Sequence, residues 1–145
     1  MISAFMEFVN KAREQGEALF AKFTTKDQLD RLVAACCLIA HADGKCDSAE
    51  KQKVRQLISV KLPHFDSDDI IESWKKFEGI LQMDFDFGKG DLIDTIKKAS
   101  DEEFSMIARA MCLIGAADGD FDDKEKAIAR EVIAAMGKKP SDFGL

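Results

Sequence analysis

The chain has 145 residues, enough to bury one core, and is expected to form a single domain over 1–145. It is 46% apolar and 33% charged, a globular rather than a disordered balance, and its net charge of −6 argues against generic nucleic-acid binding. With two prolines, no tyrosine and no alternating Val/Ile/Thr-rich runs, the composition favours helices over strands.

The expected elements follow in chain order. Ile2, Phe5, Met6, Val9, Ala12, Gly16, Leu19, Phe20 and Phe23 recur at helical spacing, so residues 2–23 read as a first helix. Its polar face mixes Lys11, Arg13 and Lys22 with Glu7, Glu14 and Glu17, which suits docking on a core better than lying on a membrane. Thr25-x-x-Gln28 is a capping-box pattern and opens a second helix. That helix is apolar over a broad face (Leu29, Leu32, Val33, Cys36, Cys37, Ile39, Ala40), as a central helix should be, and Gly44 stops it. A third helix is expected over about 47–62, before Pro63. Asp66 caps a fourth, which carries Ile70, Ile71, Trp74, Phe77, Ile80 and Leu81. The stretch from Met83 to Gly90 contains two glycines and reads as a loop, followed by a fifth helix over about 91–99. Ser100-x-x-Glu103 is another capping-box pattern and opens a sixth helix to about Ala117. A seventh spans about 122–136, and the tail is expected to fold back through Phe143 and Leu145. The expectation is an all-α, seven-helix bundle.

Two stretches share the pattern A-D-G-x-x-D-x-x-E-K, one from Ala42 to Lys51 and the other from Ala117 to Lys126. The surrounding segments 32–58 and 107–133 align without gaps, with 12 identities in 27 positions. They read as two pseudo-symmetric helical hairpins with acidic corners. Around the second corner, residues 101–125 hold eight carboxylates against Arg109 and Lys124, an excess equal to the net charge of the whole chain. A local field of this sign suits a cation or a basic partner.

Folding alone explains part of each corner. Asp47-x-x-Glu50 and Asp122-x-x-Glu125 are helix N-cap patterns, and Gly44 and Gly119 are helix terminators. Asp43 and Asp118 are not explained in this way, because each stands at a helix C-terminus, where the dipole disfavours an acid. A hard cation held by carboxylates, a turn carbonyl and water would relieve the repulsion, and all-oxygen ligands favour Ca²⁺ or Mg²⁺. Lys51 and Lys126 could instead neutralise part of the charge. From the residues, cation binding and simple helix capping both stand. The corner is not an EF-hand, since the twelfth position of that loop, which should be Glu, is Val54 in one corner and Ala129 in the other. Asp84-x-Asp86-x-Gly88 fails the same test at Thr95.

His41 reads as a helix-face residue, and Cys46, whose repeat partner is Phe121, as an apolar plug. Cys36, Cys37 and Cys112 fall in apolar helical segments and read as buried free thiols of a reducing, cytoplasmic compartment. No zinc or disulfide framework, nucleophile–base pair or phosphate loop is evident, so no enzymatic activity is expected. Neither a signal peptide nor an apolar run of the ~18 residues needed to span a membrane is present.

The two corners, the Phe85-Asp86-Phe87 stretch with Gly88-Lys89-Gly90 between them, and the ending Asp142-Phe143-Gly144-Leu145 together resemble the tellurite-resistance TerB family. The resemblance implies an all-helical bundle with acidic surface residues that bind divalent cations. Carried over, those residues are Asp43, Asp47 and Glu50 with Asp118, Asp122 and Glu125. It further implies a non-enzymatic role in tellurite and phage or colicin resistance. The implied partners are a TerC-like membrane protein and TerD-like calcium-binding proteins, with the chain cytoplasmic and peripheral at the inner membrane.

Overall fold

The computed structural model describes residues 3–42, 48–116 and 121–145, with backbone only at 48–51 and 53. Among these residues it contains seven α-helices and no strand: α1 (Ala4–Phe20), α2 (Lys26–Ala40), α3 (Ser48–Lys61), α4 (Ser67–Met83), α5 (Phe85–Ile96), α6 (Asp101–Gly115) and α7 (Asp123–Ala135), followed by a short 3-10 turn (Pro140–Phe143).

The sequence repeats are realised as the α2–α3 and α6–α7 pairs, and the first helices of the two pairs pack against each other. Both are buried around most of their circumference. α2 buries Leu29, Leu32, Val33, Cys36, Leu38 and Ile39, and α6 buries Phe104, Ile107, Met111, Cys112, Leu113 and Ile114. α1 lies on α6, α4 and α5 lie on α2, and α7 touches both. α1 is thus docked on the core, through Phe5, Val9, Ala12, Leu19 and Phe20. It ends earlier than its apolar stripe and breaks direction at Gly16, whose φ of 43° and ψ of −125° strain any residue with a side chain. Beyond the break, Leu19, Phe20 and Phe23 still reach the core.

Caps set most boundaries where the pattern places them. Thr25 and Gln28 close a reciprocal box at α2, and Asp66 does so with Asp69 at α4. The tail folds back: Phe143 meets Phe8 at 5.4 Å and Phe104 at 6.5 Å, and Leu145 is partly buried.

The stretch from Met83 to Gly90 is not a loop. A single extended residue, Asp84, separates α4 from α5, and its carboxylate accepts the Phe87 N–H at 3.1 Å. α5 therefore begins at Phe85 and includes both glycines. Gly88 is there for packing. A Cβ at this position would lie 2.8 Å from the Ile80 carbonyl oxygen, so only glycine lets α5 lie this close to α4.

The box expected at α6 is half formed. The Ser100 hydroxyl accepts the Glu103 N–H at 3.1 Å, but the Glu103 carboxylate turns instead to Arg31 on α2. The guanidinium grips it with two parallel bonds, Nε to Oε2 and a second terminal nitrogen to Oε1 at 2.7 Å. A bidentate, charge-assisted pair outweighs a weak cap bond. The hydrogen bond to Glu103 also raises the Arg31 pKa above its ordinary value. Nearby, Asp30 accepts from Ser73 at 2.8 Å and pairs with Lys76 at 3.4 Å, tying α2 to α4.

Breaking a buried ion pair leaves one charge uncompensated, so Glu103→Ala should lose about 3 kcal/mol of stability. The double change Arg31→Met with Glu103→Leu should recover most of that loss. Urea unfolding of the three proteins checks both expectations.

Candidate functional site

The second acidic corner lies between α6 and α7. α6 ends at Gly115, and the N–H of its cap, Ala116, reaches the Cys112 carbonyl at 2.9 Å. The described chain resumes at Phe121, whose ring fills the notch left by the missing side chain of Gly115. A Cβ there would lie 2.5 Å from the ring. On its other side Phe121 stacks on Phe5 of α1, with centroids 4.8 Å apart. The expected plug is therefore present in this repeat, seated against α1.

Asp122 and Glu125 are brought together as the N-terminal box of α7. Asp122 Oδ1 accepts the Glu125 N–H at 2.8 Å, and Glu125 Oε1 accepts the Asp122 N–H at 3.1 Å. The cap uses one oxygen of Asp122 and leaves Oδ2 without a hydrogen bond among the described residues. Asp123 is exposed beside them. Lys126 makes no direct salt bridge to this group. Its ammonium lies 5.7 Å from the centroid of the Phe5 ring and forms no ion pair among the described residues.

Of the other expected ligands, Asp43, Asp47 and Asp118 lie outside the described residues. Glu50 lies in the first turn of α3, and its side chain is likewise outside them. Among the described residues, no three His, Cys, Asp or Glu side chains form a group able to hold a metal ion. Asp122 and Glu125 carry oxygen donors of the hard type that Ca²⁺ or Mg²⁺ requires.

The side of α2 leading to the first corner is built differently. His41 caps α2 and is buried, with Nδ1 2.8 Å from the Cys37 carbonyl oxygen and Nε2 3.6 Å from Glu78. Glu78 also accepts the Trp74 indole N–H at 3.1 Å. His41 is therefore a core residue rather than a surface one, and its repeat partner, Ala116, has no such network. The repeat alignment carries a signal for this asymmetry: Ala40 and Cys46 in one copy stand opposite Gly115 and Phe121 in the other, a volume exchange between paired positions.

The described cysteines are core residues. Cys36, Cys37 and Cys112 are free and buried. Burial pushes the Cys36 thiol up strongly, with Cys112 nearby adding to the effect, and raises Cys112 to about 12. Burial thus favours the neutral thiol at both positions. Cys46 lies outside the described residues.

A family model described as "Tellurite resistance protein TerB" matches residues 29–145. A curated relative named "Tellurium resistance protein TerB", from Alcaligenes sp, is 28% identical over 96 residues, covering 65% of this chain and 79% of its own. No solved structure matches.

Gly115→Ala should cost about 1–3 kcal/mol by overpacking Phe121. Adding Phe121→Cys, which recreates the Ala/Cys pairing of the first repeat, should recover part of the loss in thermal melts. A thiol reagent should leave Cys36 and Cys112 unmodified in the native protein and label both after denaturation, as peptide mapping would show.

Proposed function

Since the chain belongs to the tellurite-resistance TerB family, we propose that it is a non-enzymatic divalent-cation-binding protein of a tellurite, phage and colicin resistance system. In this reading it acts as an interaction module in a membrane-associated complex, beside TerC-like and TerD-like proteins. No helix among the described residues is long and apolar enough to cross a membrane, so the membrane component would be a partner.

The observation that carries the cation reading is the charge around the second corner. Lys126 directly follows Glu125, as Lys124 directly precedes it, and its ammonium lies 5.7 Å from the Phe5 ring centroid. The acid excess of residues 101–125, six carboxylates over the cations of that stretch, gives a local field that favours a cation. The proposed ligands are Asp118, Asp122 and Glu125 at the second corner, with Asp43, Asp47 and Glu50 at the first. Ca²⁺ or Mg²⁺ would be held by carboxylates, a turn carbonyl and water. In this arrangement Asp122 and Glu125 each serve twice, capping α7 with one oxygen and offering the carboxylate charge to the ion.

A second reading keeps the corners as helix caps in a metal-free interaction scaffold. The closed box between Asp122 and Glu125 favours it, because helix capping by itself accounts for both carboxylates.

One substitution separates the two readings. Asn caps about as well as Asp, so Asp122→Asn should leave the fold within a few tenths of a kcal/mol of wild type. If the corner holds a cation, the same change should weaken Ca²⁺ or Mg²⁺ binding at least about tenfold, since a ligand charge is lost. Chelator-treated wild type should also gain about 2.7 kcal/mol of stability at a hundredfold excess of ion over its dissociation constant. Identical titrations for wild type and Asp122→Asn would leave the scaffold reading.

A further inference from the structure

A cavity of about 490 Å³ opens where the second half of α1 meets the ends of α3 and α6. Small-molecule sites usually enclose roughly 300–1,000 Å³. Its floor is apolar: Phe20 and Leu113 line it and are 2% and 5% exposed. Val60 stands at its mouth, 79% exposed.

The break in α1 runs along this cavity. Gly16 lines it, yet a Cβ at Gly16 would meet nothing within 4 Å, so close packing is not the reason for the glycine. The reason is its backbone, which residues with a side chain avoid. Such strain gathers at ligand-binding sites. In an unbroken helix Arg13 and Glu17, four residues apart, would share a face and could neutralise each other. Here the two form no ion pair, and the Arg13 guanidinium bonds only Asn10 Oδ1, at 3.3 Å, among the described residues.

The cavity therefore keeps two cations available. Arg13 is one, and Lys61 of α3 is the other, half-buried with its ammonium 5.5 Å from the Phe20 ring centroid. Neither has an ion-pair partner among the described residues. Glu17 is the one acid on the lining. The preceding turns do not reverse this balance. Asn10 precedes Arg13, Gln56 and Leu57 precede Val60 and Lys61, and Arg109 precedes Leu113. Glu14 lies about 100° round the helix from Arg13. An apolar floor beside two free cations is the complement of an apolar body carrying one negative charge. A recessed floor on a chain of net charge −6 suits a soluble molecule, since an anionic bilayer would repel the chain.

We propose that this cavity binds a small soluble amphipathic anion, an aliphatic carboxylate, with its charge held by Arg13 and Lys61 and its chain on Phe20 and Leu113. The proposal goes beyond the functional reading and is independent of cation binding, because no lining residue is a proposed metal ligand.

The test uses chelator-treated, full-length protein, so failure of cation binding would not affect it. Decanoate, decanol and decyltrimethylammonium, each below its micelle concentration, are titrated into ¹⁵N-labelled protein and followed by amide shifts. Decanoate should give saturable shifts centred on Gly16, Phe20, Lys61 and Leu113. It should bind at least about tenfold tighter than decanol or the ammonium, as charge-assisted bonds require. Lys61→Met keeps an apolar stem over Phe20 and removes the charge, so it should cut decanoate affinity about tenfold and leave decanol unchanged. Glu17→Gln should tighten decanoate. Val60→Trp, at an exposed position that the fold does not need, should block the mouth to both decanoate and decanol. The proposal is overturned if decanoate gives no saturable shift, or if the ammonium binds as tightly. It is equally overturned if Lys61→Met or Val60→Trp binds decanoate as wild type does. Sedimentation of the protein with phosphatidylglycerol vesicles, lost in Lys61→Met, would also overturn it, since a lipid surface would then be the ligand.

Discussion

The rest of the structure depends on the contact between α2 and α6. Each helix is apolar around most of its surface, so neither can be stable except inside a shell, and burial of each large apolar side chain contributes roughly 1.5–3 kcal/mol. The shell is the remaining five helices. The Arg31–Glu103 pair sets the relation of the two central helices, because a bidentate bond tolerates little sliding. α2 ends at Ala40 and α6 at Gly115, just before the two acidic corners in the sequence.

The same constraint explains why the two repeats are similar but not equivalent. α6 is covered by α1 and α2 by α4 and α5, so the ends of the two central helices meet different neighbours. At the end of α6 the neighbour is Phe5, and Gly115 with Phe121 fits it. At the end of α2 the neighbours are Trp74 and Glu78, and His41 fits them. Phe5 also lies under the Lys126 ammonium, so the docking of α1 influences where that charge sits. A helix outside the stretch matched by the family model thus bears on the chemistry inside it.

Features carried by local chemistry were legible in the sequence. The broad apolar face of α2, the caps at Thr25, Asp66, Ser100 and Asp122, and the buried thiols at Cys36, Cys37 and Cys112 all follow from residues within a turn or two of each other. What could not be read depends on partners far along the chain. Gly88 and Gly90 look like loop residues, and only the Ile80 carbonyl shows why a helix passes through Gly88. Glu103 completes a capping pattern on paper, yet Arg31, 72 residues away, takes its carboxylate. Gly16 falls in register with the α1 stripe, and nothing in that spacing indicates its positive φ. At the candidate site the Asp122–Glu125 box was legible, whereas the diversion of Lys126 to Phe5 was not.

The most direct test of the account is calorimetric titration of chelator-treated protein with Ca²⁺ and Mg²⁺, alongside the double variant Asp43→Ala with Asp118→Ala. Those two acids are the ones that helix capping does not require. The account predicts saturable heat in the wild type, at up to one ion per acidic corner, and its loss in a variant that melts as the wild type does without metal. Absence of heat in the wild type, or an unchanged isotherm in the variant, would contradict it.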